Sequence, residues 1–241
     1  MSTPRPINSL RILVILGFSF GLSYLLPPLS LSASTGVVVA TLVLFSFLLG
    51  FFINRALERK QMISRGTSLE LLYLRRVYNI CENISDKQWV ESAFTSLSDY
   101  HAAVSKLFLS HAATIENFRK VSHLIYGFQP KTRKDDMVYS ELLKTMRDLS
   151  FERQHIEQAL VNRLSGFSWM VMLINAGSSI FLLLIKLFEP QYSPLGCALL
   201  VASILLSLDL LIRTEHLSSK EIQSFEIAYR KNLPHQHRVG E

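Results

Sequence analysis

Charge is what this sequence has little of. Only 18% of its 241 residues are Asp, Glu, Lys or Arg, where a soluble domain carries about a quarter. That deficit excludes an ordinary water-soluble globular chain. Cysteine is scarcer still, with Cys81 in a charged stretch and Cys197 in an apolar one. The two would not share an oxidising compartment, and neither a CxxC nor a metal-ligand spacing exists, so two unpaired thiols are expected. Phosphate-cradling glycine loops, HExxH and GxSxG are missing as well. With no nucleophile, base or metal set in view, we expect no enzyme, no cofactor and no metal. The net charge of +6 forms no basic stripe interleaved with aromatics, which argues against a nucleic-acid partner.

Apolar length is what the sequence does have. A bilayer core of about 30 Å needs about 20 apolar residues in helical form. Four segments approach this, at 12–29, 37–53, 167–188 and 195–212. The first carries Pro27-Pro28 near its end, and the second carries Phe45, Phe47, Phe51 and Phe52. Short linkers at 30–36 and 189–194 join them in pairs. The expected fold is all-α: four transmembrane helices in two hairpins, with a helical cytoplasmic insert between the second and third. The corresponding divisions are 1–54, 55–165, 166–213 and a tail at 214–241.

Lysine and arginine set the expected orientation, because basic residues collect on the cytoplasmic side. Arg5 and Arg11 precede the first segment, and Arg55, Arg59, Lys60 and Arg65 follow the second. Arg153 and Arg163 precede the third, while Arg213, Lys220, Arg230, Lys231 and Arg238 follow the fourth. The first hairpin linker carries no charge, and the opposite side has only Lys186 beside Glu189. Both termini and the middle are therefore expected in the cytoplasm, with the chain spanning a plasma or inner membrane. In a rival reading, residues up to Ser34 form a cleaved leader ending in Ser32-Ala33-Ser34.

The middle reads as three helices. The first continues from the second apolar segment through 58–81, with Gly66 as its weak point. The second starts at a capping box, Ser85-Asp86-Lys87-Gln88, and runs unbroken to Tyr126-Gly127. The third starts at Asp135-Asp136, where acid suits the helix dipole better than it suits calcium. It carries Leu142, Met146, Leu149, Ile156 and Leu160 on one face. Arg153 and Arg163 fall in or near that seam. Buried, they would need a partner such as Glu58, Glu70 or Glu157; at the seam edge they would snorkel. His101 and His111 read as structural or surface residues, and His235 and His237 as part of a solvated tail. In the third apolar segment Asn175 to Ser179 form a small-residue patch suited to close helix packing. In the fourth, Asp209 lies one turn before Arg213 and is expected to pair with it.

The exit of the second segment reads Leu49-Gly50-Phe51-Phe52-Ile53-Asn54-Arg55-Ala56-Leu57-Glu58-Arg59, followed by Arg65-Gly66. This stretch resembles the bestrophin and bestrophin-like membrane proteins, the bacterial ones most closely. Leu49-Gly50-Phe51, Asn54 and Glu58-Arg59 match that family's pattern in register, and Arg65 stands near its later basic position. Leu57 replaces the family's Tyr, the aromatic pair that often follows the Arg is absent, and Phe52 stands where many members carry a basic residue. The order of two spans, helical insert, two spans and tail is also similar.

The resemblance implies a homo-pentamer around a pore lined by the second span, with Val43, Phe47 and Phe51 at the neck. Gly50, Asn54 and Glu58 would be the structural residues of the motif. Residues four apart share a helix face, and apolar rings can gate by dewetting. Arg55 and Arg59 would extend the line as positive rings favouring small anions such as chloride. The bland alternative turns these phenylalanines toward lipid. A second functional class also fits: a non-conducting membrane scaffold or accessory subunit whose cytoplasmic helices bind a protein partner.

Overall fold

A computed structural model describes residues 9–25, 34–186 and 193–231. Among them the secondary structure is helical, with no strand. The helices are α1 (Ser9–Leu25), α2 (Thr35–Cys81), α3 (Lys87–Leu107), α4 (Ile115–Tyr126), α5 (Arg133–Val161), α6 (Gly166–Lys186), α7 (Pro194–Glu215) and α8 (Ser219–Lys231), with a 3-10 segment, Phe108–Thr114, between α3 and α4. α2, α6 and α7 each contain a run long and apolar enough to cross a membrane. The first apolar segment appears as the shorter α1; Pro27, Pro28 and the rest of that segment, both hairpin linkers except Ser34 to Gly36 and Ser193-Pro194, Phe188 and the His235/His237 tail lie outside the described residues.

The chain divides into two compact units. The first comprises Met1–Glu58 and Arg163–His216; the second comprises Arg59–Asn162 and Leu217–Glu241. In the first unit α1 and α6 both pack on α7. Its core joins Val38, Phe45 and Phe52 of α2 to Met172, Ala176 and Leu183 of α6 and to Val201, Ile204 and Leu211 of α7. Of the small-residue patch on α6, Ala176 and Ser179 are buried, while Gly177 and Ser178 point outward. Glu215, buried at the end of α7, accepts a 2.8 Å hydrogen bond from the Leu164 amide, ahead of the first turn of α6. This satisfies an amide that the loop would otherwise leave bare.

The second unit is built around α2, α3 and α5, and three sequence expectations change there. The α3 cap is Asp86, not Ser85: the Asp86 carboxylate accepts the Trp89 amide, while the Ser85 amide donates to Asp135 Oδ1 at 3.0 Å. A carboxylate accepts more strongly than a hydroxyl, and it also suits the dipole. The expected unbroken helix 85–126 is interrupted by the 3-10 segment, kinked at Ser110. Gly66, expected to be a weak point, is instead a close crossing, because a Cβ there would lie 2.7 Å from Ile156 Cγ1 of α5. α5 begins at Arg133 behind a Thr132 cap that accepts the Asp135 amide at 3.0 Å, and Asp135 and Asp136 occupy its first turn. Cys81 and Cys197 are free and buried.

The α8 helix had no counterpart in the sequence reading. Its first turn is closed by Ser218 and Glu221, which accept one another's backbone amides, and Lys60 lies 3.3 Å from Glu221. Phe225 and Tyr229 join the core of the second unit.

Candidate functional site

The face of α2 that carries the family motif is open. Val43, Phe47 and Phe51 are 63%, 73% and 57% exposed, whereas Phe45 and Phe52 are 4% and 7% exposed. Buried positions recur every seven residues along this helix, at Val38, Phe45, Phe52, Arg59 and Gly66. Steps of four advance about 400° around a helix of 3.6 residues per turn, a drift of about 40° each. The line from Val43 through Phe47 and Phe51 therefore rotates off its starting face and reaches the buried seam at Arg59.

The structure accordingly separates the two arginines expected to form positive rings. Arg55 is exposed. Arg59 is 6% exposed, and its Nε donates to the Ala159 carbonyl at 2.9 Å. It is a packing residue of the second unit and does not extend the open line. The residues that hold the open face of α2 at 3.6-residue spacing are Asn54, Glu58 and Arg65, all exposed. Asn54 Nδ2 donates to Glu58 Oε1 at 3.3 Å, one turn away. Gly50 lies on the open side, with no atom within 4 Å of an added Cβ. Steps of three and four, used together, would have picked these positions from the sequence.

Asp209 and Arg213 lie 2.7 Å apart on successive turns of α7. Arg11 of α1 adds a second, longer contact to the same carboxylate at 3.7 Å. A half-buried acid is thus held between two cations.

The densest polar chemistry lies in the second unit and was only partly foreseen. Glu70 on α2 is fully buried and accepts from the Tyr100 hydroxyl of α3 and, at 2.5 Å, from the Tyr229 hydroxyl of α8. His111 Nε2 of the 3-10 segment lies 3.2 Å from the same carboxylate. Arg153 of α5, also buried, donates to the Tyr100 hydroxyl at 2.7 Å, to Thr114 Oγ1 at 2.9 Å and to the His111 carbonyl at 2.9 Å. Its guanidinium faces the rings of Tyr100 and Phe118 at 5.4 and 5.1 Å. The broken helix has its reason here, because the 3-10 segment turns a carbonyl and a hydroxyl toward Arg153. Arg163, by contrast, is exposed.

Burial raises the Glu70 carboxyl, and the contacts from His111, Tyr100 and Tyr229 more than offset it, leaving Glu70 below its ordinary 4.5. Burial and the facing Glu70 charge push the Tyr100 and Tyr229 phenols well up. Next to them His101 is buried, its ring 6.1 Å from Tyr78 and 6.2 Å from Tyr229. Burial pushes its imidazole down to about 4, against the pull of Glu70. Among the described residues no group of three or more His, Cys, Asp or Glu is arranged to hold a metal ion.

A family model described as the bestrophin-like domain matches residues 30–216. The fold is similar to the crystal structure of a bacterial bestrophin homolog from Klebsiella pneumoniae carrying a point mutation. The TM-score is 0.73 and the identity 11%, over 92% of this chain and 97% of that one. No curated protein sequence matches significantly.

Proposed function

Because the chain belongs to the bestrophin-like family, we propose that it is an oligomeric ion channel of a plasma or inner membrane, a homo-pentamer passing small anions such as chloride. Its neck is formed by Val43, Phe47 and Phe51 on α2, and its cytoplasmic mouth by Asn54, Glu58, Arg65 and Arg55. The termini and the second unit lie in the cytoplasm, a topology supported by the basic residues that flank each apolar helix. The observation that carries this reading is the open row itself. The opposite side of α2 is already spent on the core of its own chain, leaving a line of apolar side chains four apart, and stacked rings of that kind gate by dewetting.

The test is reconstitution of the full chain into a planar bilayer, with crosslinking through cysteines at Phe47. Chloride current and crosslinked ladders up to five copies are expected. A silent bilayer for both wild type and Phe51→Ala, together with no crosslinks at Phe47, would overturn the channel and leave a non-conducting scaffold in its place.

A further inference from the structure

We propose that α8 is an acid-released latch on the second unit, with His101 beneath it as the trigger. At 13 residues, α8 is too short to persist as an isolated helix in water. Among the groups that hold it to the bundle, Phe225 packs on Phe108 at 4.9 Å, Tyr229 is fully buried with its hydroxyl on Glu70, and Glu221 meets Lys60 near the surface. The His101 ring is enclosed between Tyr78 from one side and Tyr229 of α8 from the other. Lifting α8 removes the Tyr229 wall and opens His101 to water.

Burial makes protonation of His101 costly while α8 is seated, outweighing the opposite pull of the Glu70 charge and of the Tyr229 backbone. Glu70 and Tyr78 face it from α2, Tyr100 adjoins it on α3, and Tyr229 covers it from α8. His111 of the 3-10 segment and Arg153 of α5 complete the surroundings. The single negative charge, Glu70, already serves Arg153 through Tyr100 and meets His111 directly. A new cation on His101 would therefore be buried without a carboxylate of its own. In the released state the same imidazole titrates near its ordinary 6.5. A group whose folded value is depressed contributes stability that is present above the unfolded value and lost as pH falls toward the folded one. The latch therefore holds at neutral pH and weakens between 6.5 and about 4. Despite partial burial, the Glu221 carboxyl is held below its ordinary 4.5 by Ser218 and Lys60 and still carries its charge at pH 5.0.

The experiment is amide hydrogen exchange on the full chain in lipid nanodiscs at pH 7.5 and 5.0, corrected for the intrinsic rate. We expect protection of 219–231 to fall by about 30-fold at the lower pH, the factor set by imidazole values of 6.5 and about 4, while protection of 133–161 holds. His101→Gln should abolish the acid-dependent loss, and His101→Phe, which keeps a ring between the two tyrosines, serves if the first variant does not fold. Tyr229→Phe should lower α8 protection at both pH values. Equal wild-type protection of α8 at both pH values, loss of 133–161 in parallel with it, or an undiminished acid response in the neutral variants would each overturn the proposal.

Discussion

Arg153 reaches Glu70 through a phenol: the Tyr100 hydroxyl accepts from the guanidinium at 2.7 Å and donates onward to the carboxylate. Tyr100→Phe would remove that relay without changing the shape of the core. One acceptor of Arg153 and one donor to Glu70 would be lost, each buried where water cannot replace it. We expect a loss of about 2 kcal/mol, read as a lower midpoint of thermal unfolding in detergent. A variant as stable as wild type would show that the relay carries no net energy.

Glu70 should also leave its mark on the acid limb of stability. Its folded carboxyl lies below 4.5, so its contribution is present above that value and fades as pH falls below it. Glu70→Gln should flatten the stability profile below about pH 4.5 while lowering the plateau at neutral pH. The same acid slope in both proteins would contradict this.

At the α2–α5 crossing, Gly66→Val should cost about 2 kcal/mol, the usual scale of overpacking. The new side chain would press on Ile156, which is itself fully buried. Combining it with Ile156→Ala should cost less than the sum of the single changes, since each makes room for the other. Strict additivity would place the strain elsewhere.

In the membrane unit, Asp209→Asn would take the carboxylate away from Arg213 at 2.7 Å and Arg11 at 3.7 Å. The expected outcome is a lower thermal midpoint, with a smaller additional drop when Arg213→Gln is added. If the two losses simply add, the pair is not coupled.

If α2 lines the pore as proposed, Phe51→Ala and Phe47→Ala should raise chloride current by widening the neck, and Arg65→Gln should shift the reversal potential toward cations. Arg59→Gln should act differently, because its Nε is engaged by the Ala159 carbonyl. It should lower stability and leave the reversal potential unchanged. A selectivity change at Arg59 as large as that at Arg65 would return Arg59 to the ion path.

Much of the architecture was legible because apolar length and punctuation are local signals. The span from 37 continuing through 81 needed only the absence of proline, and Pro194 with Gly166 marks where α7 and α6 begin. What escaped was decided by distant partners. Nothing near Tyr229 announces Glu70, 159 residues away in the chain. The break at Phe108–Thr114 follows from Arg153, on a different helix. Arg153 could be flagged as a buried arginine wanting a partner, but its partners turned out to be a phenol, a threonine hydroxyl and a carbonyl, and Glu70 is reached only at second hand. On α2 the motif pointed to Val43, Phe47 and Phe51, whose side chains are exposed. Counting in fours alone then carried the line one turn too far, onto Arg59.

The two thiols have a practical side. Cys81 is fully enclosed, and burial pushes its thiol up to about 12, while Cys197 is also enclosed. A maleimide or a spin-label reagent attacks the thiolate, so neither sulfur offers it a target in the folded chain. Probes placed at Phe47, Arg65 or Ile227 would then report from a naturally silent background, with no need to strip the native cysteines first.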